Sequence, residues 1–519
     1  MTGFIKKGKI MSVNLIFGPP GTGKTTYLIE QVVAKELPNT SPDRIGYFAF
    51  TQKAAREALN RALVFFPDSK DQDFKYFRTL HSLAFMALGL AESDVMNDED
   101  YRYLSQQLQV KLSNPNSEVL GSYGVSSPND IFMRVIDMAK INGNTLYAQF
   151  QHSGHMQGGW PKLKLIAETL HDYKFGRGGK YKYDFTDMIV EFLKEDIAPR
   201  LDVLIIDEAQ DLSYIQWQMV DKLAQKAKRV YIAGDDDQAI FNWAGARSEY
   251  LLNREGNRVI LDKSYRLPIK IQERAINLIN RVKNRVAKTW SPKEEEGTIV
   301  HLPRRNYDHL KTGNWLILGR TNYFLDQVED DLRILGYFYH RADKSSIGKR
   351  LVNAITAWRD IQKGGYIDFN QLKDLYYYMN SNVGVERGYK NLTGVDPEST
   401  FTFDQLQQHN GLQVPKDYSW HEALDKVPEY KKAYVSTVIQ KEGSFNPVPR
   451  ITLSTVHGSK GGEADNVMVL SDLSRKADES YWRQKDDERR VFYVALTRAK
   501  QNLYLVRSRS NREFREVFA

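Results

Sequence analysis

The sequence predicts an α/β protein with two cores, each interrupted by an inserted, mostly helical subdomain. Three observations carry that prediction. Short apolar runs alternate with helical periodicity in two separate stretches of the chain. The texture changes over 88–182 and again over about 346–445, where helical segments and turn-rich loops take over. A glycine-rich phosphate-binding signature follows the first strand-like run. The boundaries drawn on this basis are 1–87, 88–182 and 183–262 for the first core and its insertion. Those for the second are 263–345, 346–445 and 446–519.

Residues 13–17 read as a short buried strand, followed by a Gly/Pro/Thr loop. Helix is expected from Thr25 onward, with Leu28, Ile29, Val32 and Val33 at helical spacing and Pro38 beyond its end. A strand is expected over 45–50 and a helix with an alanine-rich packing face over 53–66. The first insertion holds a turn-rich patch, Ser113-Asn-Pro-Asn-Ser and Gly121-Ser-Tyr-Gly-Val-Ser-Ser-Pro, and then a helix over 131–141. Strand-like runs return at 203–206, 230–233, 259–261, 315–318, 467–470 and 503–506.

Composition narrows the function classes. The 519 residues include no cysteine, which excludes disulfide scaffolds, thiolate zinc sites, iron–sulfur clusters and cysteine nucleophiles. No apolar run approaches the ~18 residues of a membrane-spanning helix. Residues 1–10 lack the apolar stretch of a signal peptide, so an intracellular, cytoplasmic protein is expected. Lys and Arg number 73 against 65 acidic residues, a net charge of +8 that favours a polyanionic partner but is dilute over this length. His152-Ser-Gly-His has a spacing that metals use, without a matching partner, and is not assigned a metal.

Gly18-Pro-Pro-Gly-Thr-Gly-Lys-Thr fits G-x-x-x-x-G-K-[ST] and lies between a buried strand and a helix. Backbone N–H groups of such a loop wrap phosphates, Lys24 adds positive charge and Thr25 a hydroxyl for Mg²⁺. A bound nucleoside triphosphate is the expectation. Val203-Leu-Ile-Ile-Asp-Glu-Ala-Gln-Asp then places two carboxylates at a strand end, Asp207 for the metal's water shell and Glu208 to polarise an attacking water. A cap on a following helix is the alternative. The phosphate loop on the same chain argues against it.

Further motifs occur in order: Gly234-Asp-Asp-Asp-Gln-Ala-Ile-Phe-Asn-Trp-Ala-Gly-Ala, Ser264-Tyr-Arg, Thr455-Val-His-Gly-Ser-Lys-Gly-Gly-Glu and Tyr493-Val-Ala-Leu-Thr-Arg-Ala-Lys. With the phosphate loop and the Asp-Glu strand they closely resemble superfamily 1 DNA helicases of the UvrD/Rep/PcrA type, from Gly18 to Lys500. The resemblance implies two RecA-like P-loop NTPase core domains that close on ATP, with single-stranded DNA across both. It assigns Gly18, Gly21, Thr22, Gly23, Lys24, Thr25 and Thr26 to phosphates and Mg²⁺, with Thr25 and Asp207 on the metal and Glu208 as base. Gln238 senses the γ-phosphate, and Arg266 and Arg498 supply positive charge to it. Tyr265 stacks on the adenine, and Gly461 and Glu463 lie at the nucleotide, Glu463 toward the ribose. Both arginines share a chain with the phosphate loop, so a monomer is expected to hold a complete ATPase site.

For DNA, the resemblance points to Phe50, Thr51, His81, Phe241, Trp243, His457 and Lys460. Aromatic faces bind bases without reading sequence, at ~1–3 kcal/mol per base. Phe241 and Trp243 alternate at i, i+2 and point to one side if extended, although a core role is open to both. Lys460 resembles the 3′→5′ branch. Asp184-Phe-Thr-Asp-Met also resembles a family motif. The loop Gly176-Arg-Gly-Gly-Lys-Tyr-Lys-Tyr reads as solvated rather than phosphate-binding, and Tyr376-Tyr-Tyr as helix packing.

The chain departs from the family pattern in four places. Only 17 residues precede Gly18, so the upstream glutamine that reads adenine is expected to be missing. Ala244 stands where an arginine is common, and Gly462 replaces the usual leucine. The second insertion is small, which bears on unwinding, and no room is expected for an appended nuclease domain. The expected activity is an ATP-dependent DNA helicase acting on single-stranded DNA and single/double-strand junctions, in a bacterial cell or phage-infected host. A DNA-stimulated translocase that strips bound proteins, an RNA helicase and a nucleotide-switched DNA-binding factor remain as alternatives.

Overall fold

Val203-Leu-Ile-Ile is an unbroken apolar run, the pattern of a parallel strand covered on both faces, and all four residues are buried. The computed structural model that places it describes residues 12–112, 114, 131–154, 156, 158–176, 178–342 and 344–519. Residues 1–10, nearly all of the turn-rich patch over 113–128, His155 and Arg177 lie outside the described residues. The chain divides into two compact units, Met1–Ile299 with Arg475–Gln501 and Arg515–Ala519, and Val300–Ser474 with Asn502–Phe514.

The first unit is built on β1 (Ser12–Phe17), β2 (Ile45–Phe48), β3 (Phe77–Arg78), β4 (Val203–Ile206), β5 (Arg229–Gly234) and β6 (Asn257–Ile260), in the order β3-β2-β4-β5-β1-β6. Every pairing is parallel, with Phe17 opposite Gly234 and Ile260, and Phe48 opposite Ile206. The C-terminal ends of all six strands therefore share one edge, where open α/β sheets place their ligands. β2 stops at Phe48 rather than at residue 50, and Thr51 caps the helix Gln52–Phe65 through a bond from the N–H of Ala54 (3.1 Å). Ala55, Ala58 and Ala62 of that helix are buried, as its alanine spacing predicts.

The helix after the phosphate loop starts at Lys24 and widens into a π-helical stretch, Leu28–Val33, whose Leu28, Ile29, Val32 and Val33 are buried. Pro38 falls inside a closing 3₁₀ turn, Leu37–Asn39, where its fixed φ is tolerated, rather than beyond the helical run. The first insertion has a core of its own, with Tyr101, Phe132, Ile136, Leu163, Ile166 and Leu170 at its centre. Its helix Ile131–Ile141 has the predicted limits.

The second sheet contains β7 (Thr298–Leu302), β8 (Trp315–Gly319), β9 (His340–Arg341) and β10 (Lys344–Ser345). The insertion adds a separate two-stranded antiparallel sheet, β11 (Tyr366–Asp368) with β12 (Thr400–Thr402). Then β13 (Ile451–Thr455), β14 (Ala464–Leu470) and β15 (Ala499–Val506) complete an order β10-β9-β13-β8-β14-β15-β7. Short strands such as β3, β9 and β10 carry too few residues for a periodic signal. Tyr376 is buried in the helix Phe369–Tyr377 and donates its hydroxyl to the carbonyl of Asn410 (2.9 Å), so it packs as expected. Tyr377 is exposed under the guanidinium of Arg350. Among the described residues no helix is long and apolar enough to cross a membrane.

Candidate active site

The loop after β1 is shaped by its glycines. Gly21 and Gly23 have φ of 75° and 73°, a region that favours glycine. The side chain of Lys24 folds back over Gly18, whose carbonyl it reaches at 3.0 Å, and a Cβ on Gly18 would lie 2.1 Å from its Cγ. Thr22 closes the loop on itself, its hydroxyl donating to the carbonyl of Pro19 (2.8 Å). The hydroxyl of Thr26 accepts from Arg61 (2.8 Å). Segment 264–266 is bonded to the loop as well: the N–H of Tyr265 donates to Gly21 O and the hydroxyl of Ser264 to Pro20 O, both at 2.8 Å. Arg266 is thereby held beside Gly21, and the ring of Tyr265 stays 72% exposed, able to meet a base.

Asp207 follows β4 on the same edge. Its Oδ2 accepts from Tyr47 (2.7 Å) and from Thr25 (3.2 Å), and its backbone N–H extends the ladder to Phe48 O. Burial, with Glu208 adding like charge, pushes the Asp207 carboxyl up, while the Tyr47 phenol is raised by burial and by Asp207. Glu208 stands at φ 54°, ψ 40°, a left-handed conformation costly for a residue with a Cβ. That bend turns its carboxylate to 3.6 Å from Lys24 Nζ while 29% of the side chain stays accessible. A strained, half-exposed carboxylate beside the loop lysine is suited to orienting water.

A chain of bonds runs from Glu208 into the interior. Its Oε2 accepts from Gln210 Nε2 (2.5 Å), and Gln210 Oε1 accepts from the N–H of Asp235 (2.9 Å). Asp235 Oδ2 accepts from Gln238 Nε2 (2.7 Å), and Gln238 Oε1 accepts from Arg498 Nη2 (2.9 Å). Each amide has its donor facing a carboxylate and its acceptor facing a donor, so both orientations are fixed by chemistry. Arg498 is 1% exposed and further tied to Val494 O (3.0 Å). Burial by itself raises Asp235, but Lys288 and Lys24 outweigh it and hold the carboxyl down.

The DNA candidates divide between the units. Phe50 stacks on Phe241 with ring centroids 5.7 Å apart. The extended reading of Phe241 and Trp243 does not hold: residues Asn242–Ala244 form a 3₁₀ turn, so the side chains do not alternate, and Phe241 is buried. Thr51 is occupied as a helix cap. His81 lies 5.7 Å from the ring of Phe185, and burial lowers its pKa to about 4, leaving a neutral ring. His457, Lys460, Gly461 and Glu463 sit on the connection from β13 to β14 in the second unit, with Gly461 at φ 83° and Glu463 exposed.

Sequence reasoning missed Tyr47, which reads as core in an apolar strand, and gave Gln210 and Asp235 no role although both lie in quoted motifs. Asp184 and Asp187 form a reciprocal cap on the helix Phe185–Lys194 and pair with buried Lys174. Lys182 of the basic loop pairs with Asp100 (2.6 Å). Among the described residues no group of three or more His, Asp or Glu is arranged to hold a metal.

Residues 6–258 match the UvrD/REP helicase N-terminal domain and residues 422–510 the UvrD-like helicase C-terminal domain, together about two thirds of the chain. The chain is 23% identical over 621 residues to the ATP-dependent DNA helicase PcrA of Leuconostoc citreum, covering 95% of this chain and 79% of that protein. It is 22% identical over 623 residues to ATP-dependent DNA helicase PcrA of Bacillus subtilis, covering 97% and 81%. Among solved structures, the PRRSV helicase aligns with 95% of this chain and 52% of its own at 10% identity. Its TM-score is 0.32, too loose to carry an argument, and the chain spans about half its length.

Proposed function

The chain belongs to the UvrD/REP helicase family and by that membership is an ATP-dependent DNA helicase; from this premise we propose that it translocates 3′→5′ on single-stranded DNA and unwinds the duplex ahead. The observation that carries the reading is the unbroken path from Glu208 through Gln210, Asp235 and Gln238 to Arg498, beside the Lys24 loop. A water-orienting carboxylate and a charge-stabilising arginine are there bonded into one frame, as phosphoryl transfer requires.

In this reading the loop from Gly18 to Thr26 holds the phosphates of ATP, and Tyr265 meets the adenine. Thr25 and Asp207 hold Mg²⁺. They fit it, since two oxygens converge at 3.2 Å and the buried carboxylate is pushed up until a cation balances it. Mg²⁺ takes few protein ligands and supplies charge neutralisation at the phosphates. Glu208 orients the attacking water, while Arg266 and Arg498 stabilise the charge that develops on the γ-phosphate. Gln238 connects that site to the adjoining Phe241 and Trp243, so nucleotide state alters the grip on the strand. Phe50, Thr51 and His81 contact DNA from the first unit, and His457 and Lys460 contact it from the second. Differential affinity of ATP for the tight and loose states drives the stepping. The substrate is a single/double-strand junction, in the cytoplasm of a bacterial cell or infected host.

Strand displacement on duplexes with either a 3′ or a 5′ tail, with ATP and Mg²⁺, tests this. Displacement from the 3′ tail, abolished in Lys24→Ala with DNA binding largely kept, is the expected result. Displacement from the 5′ tail alone would reverse the polarity. DNA-stimulated hydrolysis without displacement would leave a translocase.

A further inference from the structure

The stretch from Asn284 to Lys288 has no part in the mechanism above, yet it is bonded to the turn that carries Gln238. The side chain of Lys288 is fully buried, with its Nζ 3.1 Å from Asp235, 2.5 Å from Asp236 and 3.0 Å from Asp237. Arg285 grips Asp237 with two bonds of 2.7 Å, and the N–H of Val286 donates to Asp236 Oδ2 (2.9 Å). Arg490 ties the two segments through the carbonyls of Asp236 (3.0 Å) and Asn284 (2.7 Å).

These contacts bear on one carboxylate in particular. Asp235 Oδ1 faces Lys288 and accepts from the N–H of Asp237 (3.2 Å), which leaves Oδ2 for Gln238. As long as Asp235 is an ionised acceptor, the Gln238 amide must offer it Nε2 and turn Oε1 toward Arg498. We propose that Lys288 is a positioning residue for ATP hydrolysis, holding Asp235 as an acceptor so that Gln238 presents its oxygen to Arg498.

Removing the ammonium leaves three buried carboxylates with one counter-charge fewer. The group then takes up a proton, because burial favours the neutral carboxyl once Lys288 is gone. A protonated Asp235 becomes a donor and invites Gln238 Oε1, and the reversed amide sets Nε2 against the Arg498 guanidinium. Donor then faces donor, and the arginine loses its anchor. Nothing in this sequence touches the phosphate loop's own bonds, so nucleotide binding is spared.

The inference rests on the roles proposed for Gln238 and Arg498, and its test separates the two. DNA-stimulated ATP hydrolysis is measured for the unmodified protein, Lys288→Met, Gln238→Ala and the double variant, with thermal melts to count folded protein. Lys288→Met is expected to lower kcat about 10–100-fold with KM for ATP within about 3-fold, the size of effect outer-shell partners have. In the Gln238→Ala background the same change is expected to cost no more than about 2-fold, because both act through one amide. An unchanged kcat, or losses that multiply in the double variant, overturns the inference. If Lys288→Met does not fold, Lys288→Gln, which removes the charge but keeps a polar side chain in the buried cluster, replaces it in the same cycle. Absence of DNA-stimulated hydrolysis in the unmodified protein would instead overturn the proposed function.

Discussion

The hydroxyl of Tyr47 donates to Asp207 Oδ2 at 2.7 Å, across 160 positions of sequence, on the same oxygen that Thr25 reaches. Adjacent strands β2 and β4 bring the two together, in register at Tyr47 opposite Ile205. The bond favours the ionised carboxylate against burial and Glu208, which both push Asp207 up.

Tyr47→Phe removes that donor and raises Asp207 further. A divalent cation must then displace a proton more often, so half-saturating Mg²⁺ for hydrolysis is expected to rise about 10-fold near pH 7. The deficit shrinks as pH rises and the carboxyl ionises unaided. Mg²⁺ titrations of ATPase rate at pH 6.5 and 8.5 check both points. A loss independent of pH would separate Tyr47 from the metal.

His81 carries a pH signature of stability. Burial holds its imidazole at about 4, with Asp184 acting weakly the other way, against 6.5 for a free histidine. Between those values the unfolded chain binds a proton that the folded chain does not. The residue's contribution is therefore complete above about pH 6.5 and lost as pH falls toward 4, at most about 3 kcal/mol. Urea unfolding of His81→Phe across pH 4–7 should show a flatter profile than the unmodified protein.

Phe50 and Phe241 share one ring stack and have different burial, so their alanine variants should diverge. Phe50→Ala is expected to weaken single-stranded DNA binding by about 1–3 kcal/mol without changing its salt dependence, since no charge is lost. Phe241→Ala should also cost about 3–5 kcal/mol of stability, because its ring is in the packed interior. Fluorescence anisotropy over a salt series, beside denaturant melts, distinguishes them.

Lys174 is buried between Asp184 and Asp187, with Lys140 2.5 Å from Asp187. Breaking a buried pair from one side leaves uncompensated charge, so Lys174→Met is expected to destabilise by about 3–5 kcal/mol. Adding Asp187→Asn should recover part of that loss in thermal melts. Two destabilisations that simply add would show that the charges do not interact.

Much of the site was legible in the sequence because its signals are local. The phosphate loop needs its glycines at fixed positions for a backbone that reverses at Gly21 and Gly23, and the apolar run before Asp207 is a strand buried on both faces. Those requirements are met within about ten residues, so they are written in the order of the chain. Local pattern misled where backbone geometry is settled elsewhere, as at Phe241 and Trp243, whose turn is drawn in by bonds such as that from Asn242 to Asp487.

The tertiary structure alone decided which polar groups complete the site. Tyr47 is an ordinary strand residue until β2 lies beside β4, and Lys288 an ordinary surface lysine until its segment closes over three aspartates 51 to 53 positions earlier. Gln210 has neighbours at both ends only because β4 and β5 finish on one edge. A buried polar atom must find a partner wherever the sheet order puts one, and that order is set by packing across the chain rather than by residues next to it.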